Sequence, residues 1–162
     1  MTTNPIRILT IAALLGCGLN TGVYYAFSSF VMPGLKRLPP AQGIAAMQSI
    51  NDTAVRPAFM LVFIGTTLLS LAALIAAAMT WHHSHRVALL LVLGAVLYLV
   101  FSIGVTGGYN VPLNNDLDGV SANAADAATR WADYLHSWLP GNHLRALGCA
   151  AATVAFALAL VP

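Results

Sequence analysis

Two short polar phrases hold most of the chemistry available to this chain: Asn110-Val111-Pro112-Leu113-Asn114 and Asn142-His143-Leu144-Arg145. An imidazole ordinarily titrates near neutrality, at about 6.5, so His143 is the candidate general base. A guanidinium holds an oxyanion through its charge and paired donors, which makes Arg145 and Arg56 candidates for stabilising developing negative charge. Asn142 stands beside them, and the carboxamides of Asn110 and Asn114 can orient carbonyl or hydroxyl oxygens. Asn20 and Tyr24 are four residues apart, with Ser28 one turn further on. That spacing puts all three on one helical face. Phe27, Trp131 and Trp138 complete a candidate binding wall for an aromatic ligand. Ser102 and Thr106 share the same spacing with Asn110, and we read these two as helix-packing groups.

A second arrangement competes for attention. Trp81-His82-His83-Ser84-His85-Arg86 supplies three imidazoles, which are good ligands for copper or iron. The topology derived below puts this turn across the bilayer from His143. A surface role facing headgroups or solvent therefore fits it better than a shared centre, and a copper or iron oxidase is kept as the alternative mechanism. The sequence contains no Cys-x-x-Cys, His-Glu-x-x-His or c-type haem motif.

The elements that must position these groups are four long apolar stretches: Ile8 to Val31, Ala58 to Thr80, Val87 to Tyr109 and Leu144 to Val161. At 1.5 Å per residue, about 20 residues cross a hydrocarbon core of roughly 30 Å. Only 7% of the 162 residues are charged, 59% are hydrophobic, and the mean hydropathy is +0.78. A soluble surface needs many more charges than this. The predicted fold is all-α: a single domain over residues 1–162, a bundle of four transmembrane helices with interfacial helices in its two long connections. Cys17 and Cys149 lie inside spans and read as small core residues rather than a disulfide.

Four spans bring both termini and the Trp81 to Arg86 turn to one face, with Met32 to Pro57 and Asn110 to His143 on the other. Counting basic residues puts the long connections in the cytoplasm, consistent with a bacterial cytoplasmic membrane protein. In the first connection, Ile44, Met47 and Ile50 recur at helical spacing after Pro39-Pro40. In the second, Leu117, Val120, Ala124, Ala127, Trp131, Tyr134 and Trp138 keep a three-or-four-residue beat suited to an interfacial helix. Pro112 is expected to end the third span, and Asn142 to cap the fourth.

Several classes drop out. A net charge of +2 without a basic run offers no nucleic-acid surface. No glycine-rich phosphate loop is present, so nucleotide-fuelled work is not indicated. The span interiors lack the charges that mark ion or proton coupling. An enzyme acting on a lipophile and a non-catalytic lipophile-binding or helper protein both remain. The small residues along the spans also favour a homodimer.

Gly22-Val23-Tyr24-Tyr25-Ala26-Phe27-Ser28 with Val31-Met32-Pro33, then Asn110-Val111-Pro112-Leu113-Asn114, then Trp131, Trp138 and Asn142-His143-Leu144-Arg145, resemble the DUF1772, or anthrone oxygenase-like, integral membrane family. The resemblance covers almost the whole chain. It implies a four-helix membrane protein with oxygenase activity on a lipophilic phenolic or anthrone-like aromatic. An anthrone enolate can pass an electron to dioxygen without a metal, so dioxygen is the expected co-substrate and no cofactor is predicted. The family's Asn-Val-Pro-Leu-Asn phrase corresponds to Asn110 through Asn114, and its Asn-His-x-Arg phrase to Asn142, His143 and Arg145.

Overall fold

The computed structural model describes residues 5–162. It contains four helices long and apolar enough to cross a membrane, and the chain is an integral membrane protein. We label the helices α1 (Pro5–Lys36), α2 (Pro40–Ala54), α3 (Pro57–Thr80), α4 (His85–Asp118) and α5 (Ala127–Leu160). Among the spanning helices, α5 packs against α1 and α4, and α3 closes the ring by packing against the same two. Leu15, Leu19, Leu61, Leu68, Ile75, Leu93, Leu147 and Val154 are exposed on the outside of this ring. In water such a surface would be a large liability; facing lipid tails it costs nothing.

The half of the bundle near the short turn is packed with small side chains. Ala13, Cys17, Ala73, Ala76, Ala77, Ala88, Ala95, Cys149 and Ala152 are buried around Leu91 and Phe156. Glycines bring the backbones closer still. A Cβ on Gly94 would sit 3.0 Å from the Phe156 ring, and one on Gly148 or Gly16 would collide with Phe101 or Thr66. The end of this half is tied by Arg86, whose guanidinium donates to the carbonyls of Val161 at 2.8 Å and Leu158 at 3.3 Å. The Val161 carbonyl is an orphan acceptor past the C-terminus of α5, and the Leu158 carbonyl also accepts from Val161 N–H at 3.4 Å.

The helices depart from the expected boundaries on the long-connection side. The stretch expected as a separate interfacial helix is divided: Leu117 ends α4, Val120 and Ala124 lie in the connection, and Ala127 to Trp138 begin α5, which runs unbroken through 34 residues with Pro140 inside it. At about 1.5 Å per residue α5 is far longer than a hydrocarbon core, so part of it projects beyond. Asn142 accordingly sits in the helix interior rather than at a cap. Pro140 supplies no N–H to the carbonyl of His136, and the two carbonyls that follow His136 are met by side chains on α4. Tyr109 Oη donates to Ser137 O at 2.8 Å, and Asn110 Nδ2 to Trp138 O at 3.1 Å. Pro112 does not end α4 either. Residues Tyr98–Gly104 and Thr106–Asn110 are wound as π-helix, and Pro112 occupies the second position of the α-helical segment that follows, where little is lost by lacking an N–H.

Helix α2 is the one separate helix in the first connection. Pro39 and Pro40 start it, and Arg56-Pro57 starts α3 with proline at its first turn. The apolar face of α2 contributes Ile44 and Met47 to a second buried cluster with Met32, Leu117, Ala127, Trp131, Tyr134, Leu135 and Trp138. Close approach is possible because Gly43 lies on the Trp131 indole, where a Cβ would come within 2.7 Å. Gln48 Nε2 then holds α2 to the end of α4, donating to Leu117 O at 2.9 Å and Val120 O at 3.0 Å.

Candidate functional site

Three helical irregularities meet at one level: the π-helical turn Phe27–Val31 in α1, the π-helical turns of α4 and Pro140 in α5. Such turns re-aim side chains that a regular helix would direct elsewhere. Between them lies Arg145, 6% exposed. Its Nη2 donates to Asn142 Oδ1 at 2.8 Å and its Nη1 to Thr106 Oγ1 at 3.2 Å. The guanidinium carbon is 4.6 Å from the Tyr24 ring centre and 5.1 Å from that of Trp138.

No carboxylate answers this charge. Among the described residues the only ion pair is Arg130 with Asp126, on the surface. Desolvating a lone cation costs several kcal/mol, whereas a desolvated cation–π contact returns about 2 kcal/mol. Two such contacts and two neutral hydrogen bonds offset much of that cost without supplying a counter-charge. Arg145 Nε remains buried with no hydrogen-bond partner.

From Arg145 a chain of hydrogen bonds leads outward. Asn142 accepts from Arg145 and donates through Nδ2 to Tyr24 O at 2.7 Å and to Ser28 Oγ at 2.8 Å. Ser28 Oγ is in turn 2.8 Å from His143 Nδ1. His143 is exposed. A serine oxygen has two acceptor sites and one hydrogen, so Ser28 can receive Asn142 and His143 together, which leaves His143 Nε2 free to take a proton.

The aromatic wall is continuous with this cluster. Trp131 and Tyr134 stack at 5.7 Å, Tyr134 and Trp138 lie 6.3 Å apart, and Phe27 is 5.8 Å from Trp138. Asn114 Oδ1 accepts from both Tyr134 Oη at 2.9 Å and Trp138 Nε1 at 2.7 Å, using both lone pairs to fix two rings. An open groove of about 200 Å³ runs along the outer side of Tyr134, between Leu113, Asp116, Leu117 and Val120 on the α4 side and Arg130, Asp133 and Ser137 on α5. This is below the roughly 300 Å³ at which drug-sized pockets begin, so it admits a small ring system or one end of a larger one.

Of the residues singled out in the sequence, Tyr24, Phe27, Asn110, Asn114, Trp131, Trp138, Asn142, His143 and Arg145 belong to this connected set. Asn20 lies one turn from Tyr24 and is turned to α3, donating to Gly16 O at 2.9 Å and to Thr66 Oγ1 at 3.4 Å. Arg56 is exposed at the head of α3 and makes no side-chain hydrogen bond or ion pair among the described residues. His85 at the short turn packs edge-on against Trp81 at 4.8 Å, and no three His, Cys, Asp or Glu side chains converge among the described residues. Ser28 and Thr106, taken in the sequence for members of polar stripes, turn out to bridge the helices. Gly141 carried no signal beyond following Pro140. A Cβ there would lie 2.5 Å from the Tyr109 ring and 2.6 Å from Asn110 Oδ1.

With this geometry in place, comparison with known proteins is informative. The family model that matches is that of anthrone oxygenase, over residues 59–155. The chain belongs to the anthrone oxygenase family. The match takes in nearly all of α3, all of α4 and most of α5, and therefore Asn110, Asn114, Trp131, Trp138, Asn142, His143 and Arg145. Tyr24, Phe27 and Ser28 fall outside it. No curated protein and no solved structure matches the chain.

Proposed function

We propose that this protein is a membrane oxygenase that converts a lipophilic phenolic or anthrone-like aromatic to a ketone or quinone by forming an enolate that reacts with dioxygen. The observation that carries the reading is the buried Arg145, lacking a carboxylate partner and linked through Asn142 and Ser28 to the exposed imidazole of His143. A base at the surface and an uncompensated cation behind it suit a carbon acid that becomes anionic during the reaction. The groove beside Tyr134 gives a flat ligand a way in from the interface.

The reaction balances without an external reductant. His143 removes a proton from the activated methylene, and the negative charge delocalises onto the ring oxygen that Arg145 supports. The enolate passes its electrons to dioxygen and forms a carbon–oxygen bond. The peroxide takes up a proton to become a hydroperoxide, whose loss of water leaves a carbonyl: methylene plus dioxygen gives carbonyl plus water. Arg145 contributes to binding as well as rate, because charge already on a bound phenolate meets the same guanidinium as charge that develops later.

The test is reconstituted protein offered an anthrone under oxygen with metals removed, and quinone formation compared with protein-free autoxidation. Acceleration that is lost in Arg145→Gln supports the reading. No acceleration leaves a binding or helper role. Activity abolished by chelation and restored by copper or iron assigns the chemistry to a metal instead.

A further inference from the structure

We infer that the cleft between α3 and α4 at the short-turn end of the bundle holds one acyl chain of an anionic phospholipid, with the lipid phosphate against His82 at its mouth. The cleft has a volume of about 390 Å³ and is lined by Leu74, Ala77, Ala78, Trp81 and His82 on the α3 side and by Val92 on α4. The small side chains at 77 and 78 leave space that longer ones would take. From Leu74 to Trp81 the lining follows α3 for about 10 Å at 1.5 Å per residue, which carries it from the headgroup level about a third of the way into a hydrocarbon core. The flanking residues Ile75, Met79 and Leu89 are exposed on the outer surface, so the cleft opens to the bilayer and an acyl chain is what the surrounding medium offers it.

The charge of the headgroup follows from how the chain divides its own charges. All five of its carboxylate side chains, Asp52, Asp116, Asp118, Asp126 and Asp133, belong to the long-connection end. The short-turn end has none, and presents Arg7, His82, His83, His85 and Arg86, all exposed. An anionic headgroup therefore meets a positive field there and no like charge. Arg86 reaches toward α5, where the Val161 and Leu158 carbonyls take its donors, so it adds charge rather than contact. Contact falls to His82, which lines the cleft and whose imidazole N–H can donate to a phosphate oxygen. Trp81 is held edge-on against His85 at 4.8 Å, which fixes the indole as one wall at the depth where such rings are favoured. A phosphatidylcholine offers the same chains, but its ammonium cancels the phosphate charge and gives up the attraction.

The test titrates wild-type protein in a nonionic detergent with dioleoylphosphatidylglycerol or dioleoylphosphatidylcholine, which share their chains, and counts bound lipid by native mass spectrometry. One phosphatidylglycerol is expected to be held at least about tenfold more tightly than phosphatidylcholine, the effect of about one hydrogen bond to a charged group. Ala78→Phe fills the cleft from an exposed position and should abolish retention of both lipids while the melting temperature holds; Ala78→Leu does the same should the larger ring unfold the protein. His82→Ala should bring the phosphatidylglycerol affinity down toward that of phosphatidylcholine and leave the latter unchanged. Arg7→Gln, at the same end but on α1, should keep most of the preference. Equal affinities in the wild type, or a folded Ala78→Phe that still retains lipid, overturn the site. A preference erased as fully by Arg7→Gln as by His82→Ala overturns the contact at His82 and assigns the attraction to the whole face.

Discussion

The two ends of this bundle obey different rules. Near the short turn the helices are regular, the interior is alanine, cysteine and glycine, and the close contacts are carbon on carbon, as between Gly94 and Phe156. Toward the long connections the same helices carry π-helical turns and an interior proline, and their core holds an arginine, two asparagines and a tryptophan stacked on a tyrosine. Packing explains the first end apart from Ser70 Oγ, a neutral hydroxyl buried there without a partner. It does not explain the second, where an uncompensated guanidinium and unpartnered amide atoms raise the free energy of the protein in isolation. Stability given up in one place and not in another points to the place where a ligand supplies what is missing.

The largest predicted effect tests whether the irregular end is chemically active. Replacing His143 with Gln keeps a polar, hydrogen-bonding side chain and removes the basic nitrogen, so turnover should fall by about 10² to 10⁴. His143 is exposed, so folding and ligand affinity should persist. Steady-state quinone formation beside a thermal melt decides this. Unchanged turnover removes His143 from the mechanism.

A paired experiment then breaks the comparison directly. Arg145→Met removes the lone charge and fills its place with apolar volume; the relieved desolvation is set against leaving buried Asn142 Oδ1 without its donor, so the melting temperature should change little. Binding of 1-naphthol, as a phenolic probe, should nevertheless be lost. Gly94→Val at the regular end forces a branched side chain against the Phe156 ring and should destabilise by about 1–3 kcal/mol. If Arg145→Met melts as early as Gly94→Val, the guanidinium is a structural strut and the contrast between the two ends collapses.

The sequence revealed the fold more clearly than the site. Apolar runs long enough to span a bilayer declare themselves by composition, and Asn110, Asn142 and Arg145 stand out as groups able to orient or charge-stabilise oxygen atoms where those runs end or begin. What could not be read was continuity. Pro112 and Pro140 look like terminators, yet the first follows a π-helical turn and the second has its neighbouring carbonyls met by Tyr109 and Asn110, contacts that exist only once α4 lies against α5. Arg56 and Arg145 offer the same guanidinium in the sequence, but Arg56 begins α3 while Arg145 sits among α1, α4 and α5. Which helices enclose a side chain is decided by packing.

The smallest effect defines the edge of the active end. Asp126 and Arg130 form a 2.7 Å ion pair one turn apart, both exposed. The hydrogen bond from Arg130, with its charge, holds the Asp126 carboxyl below the ordinary carboxylate value of about 3.9. A depressed folded value means that whatever the pair adds to stability is present above the unfolded value and is lost as pH falls through the folded one. Exposed pairs of this kind are screened by solvent and salt, so the contribution is slight. In Arg130→Gln the Asp126 titration, followed by carboxyl carbon resonances, should move back up toward the ordinary range while the melting temperature at neutral pH stays within error and anthrone oxidation is unchanged. A large fall in either would mean that the groove rim, and not only the buried cluster behind Tyr134, belongs to the working part of the molecule.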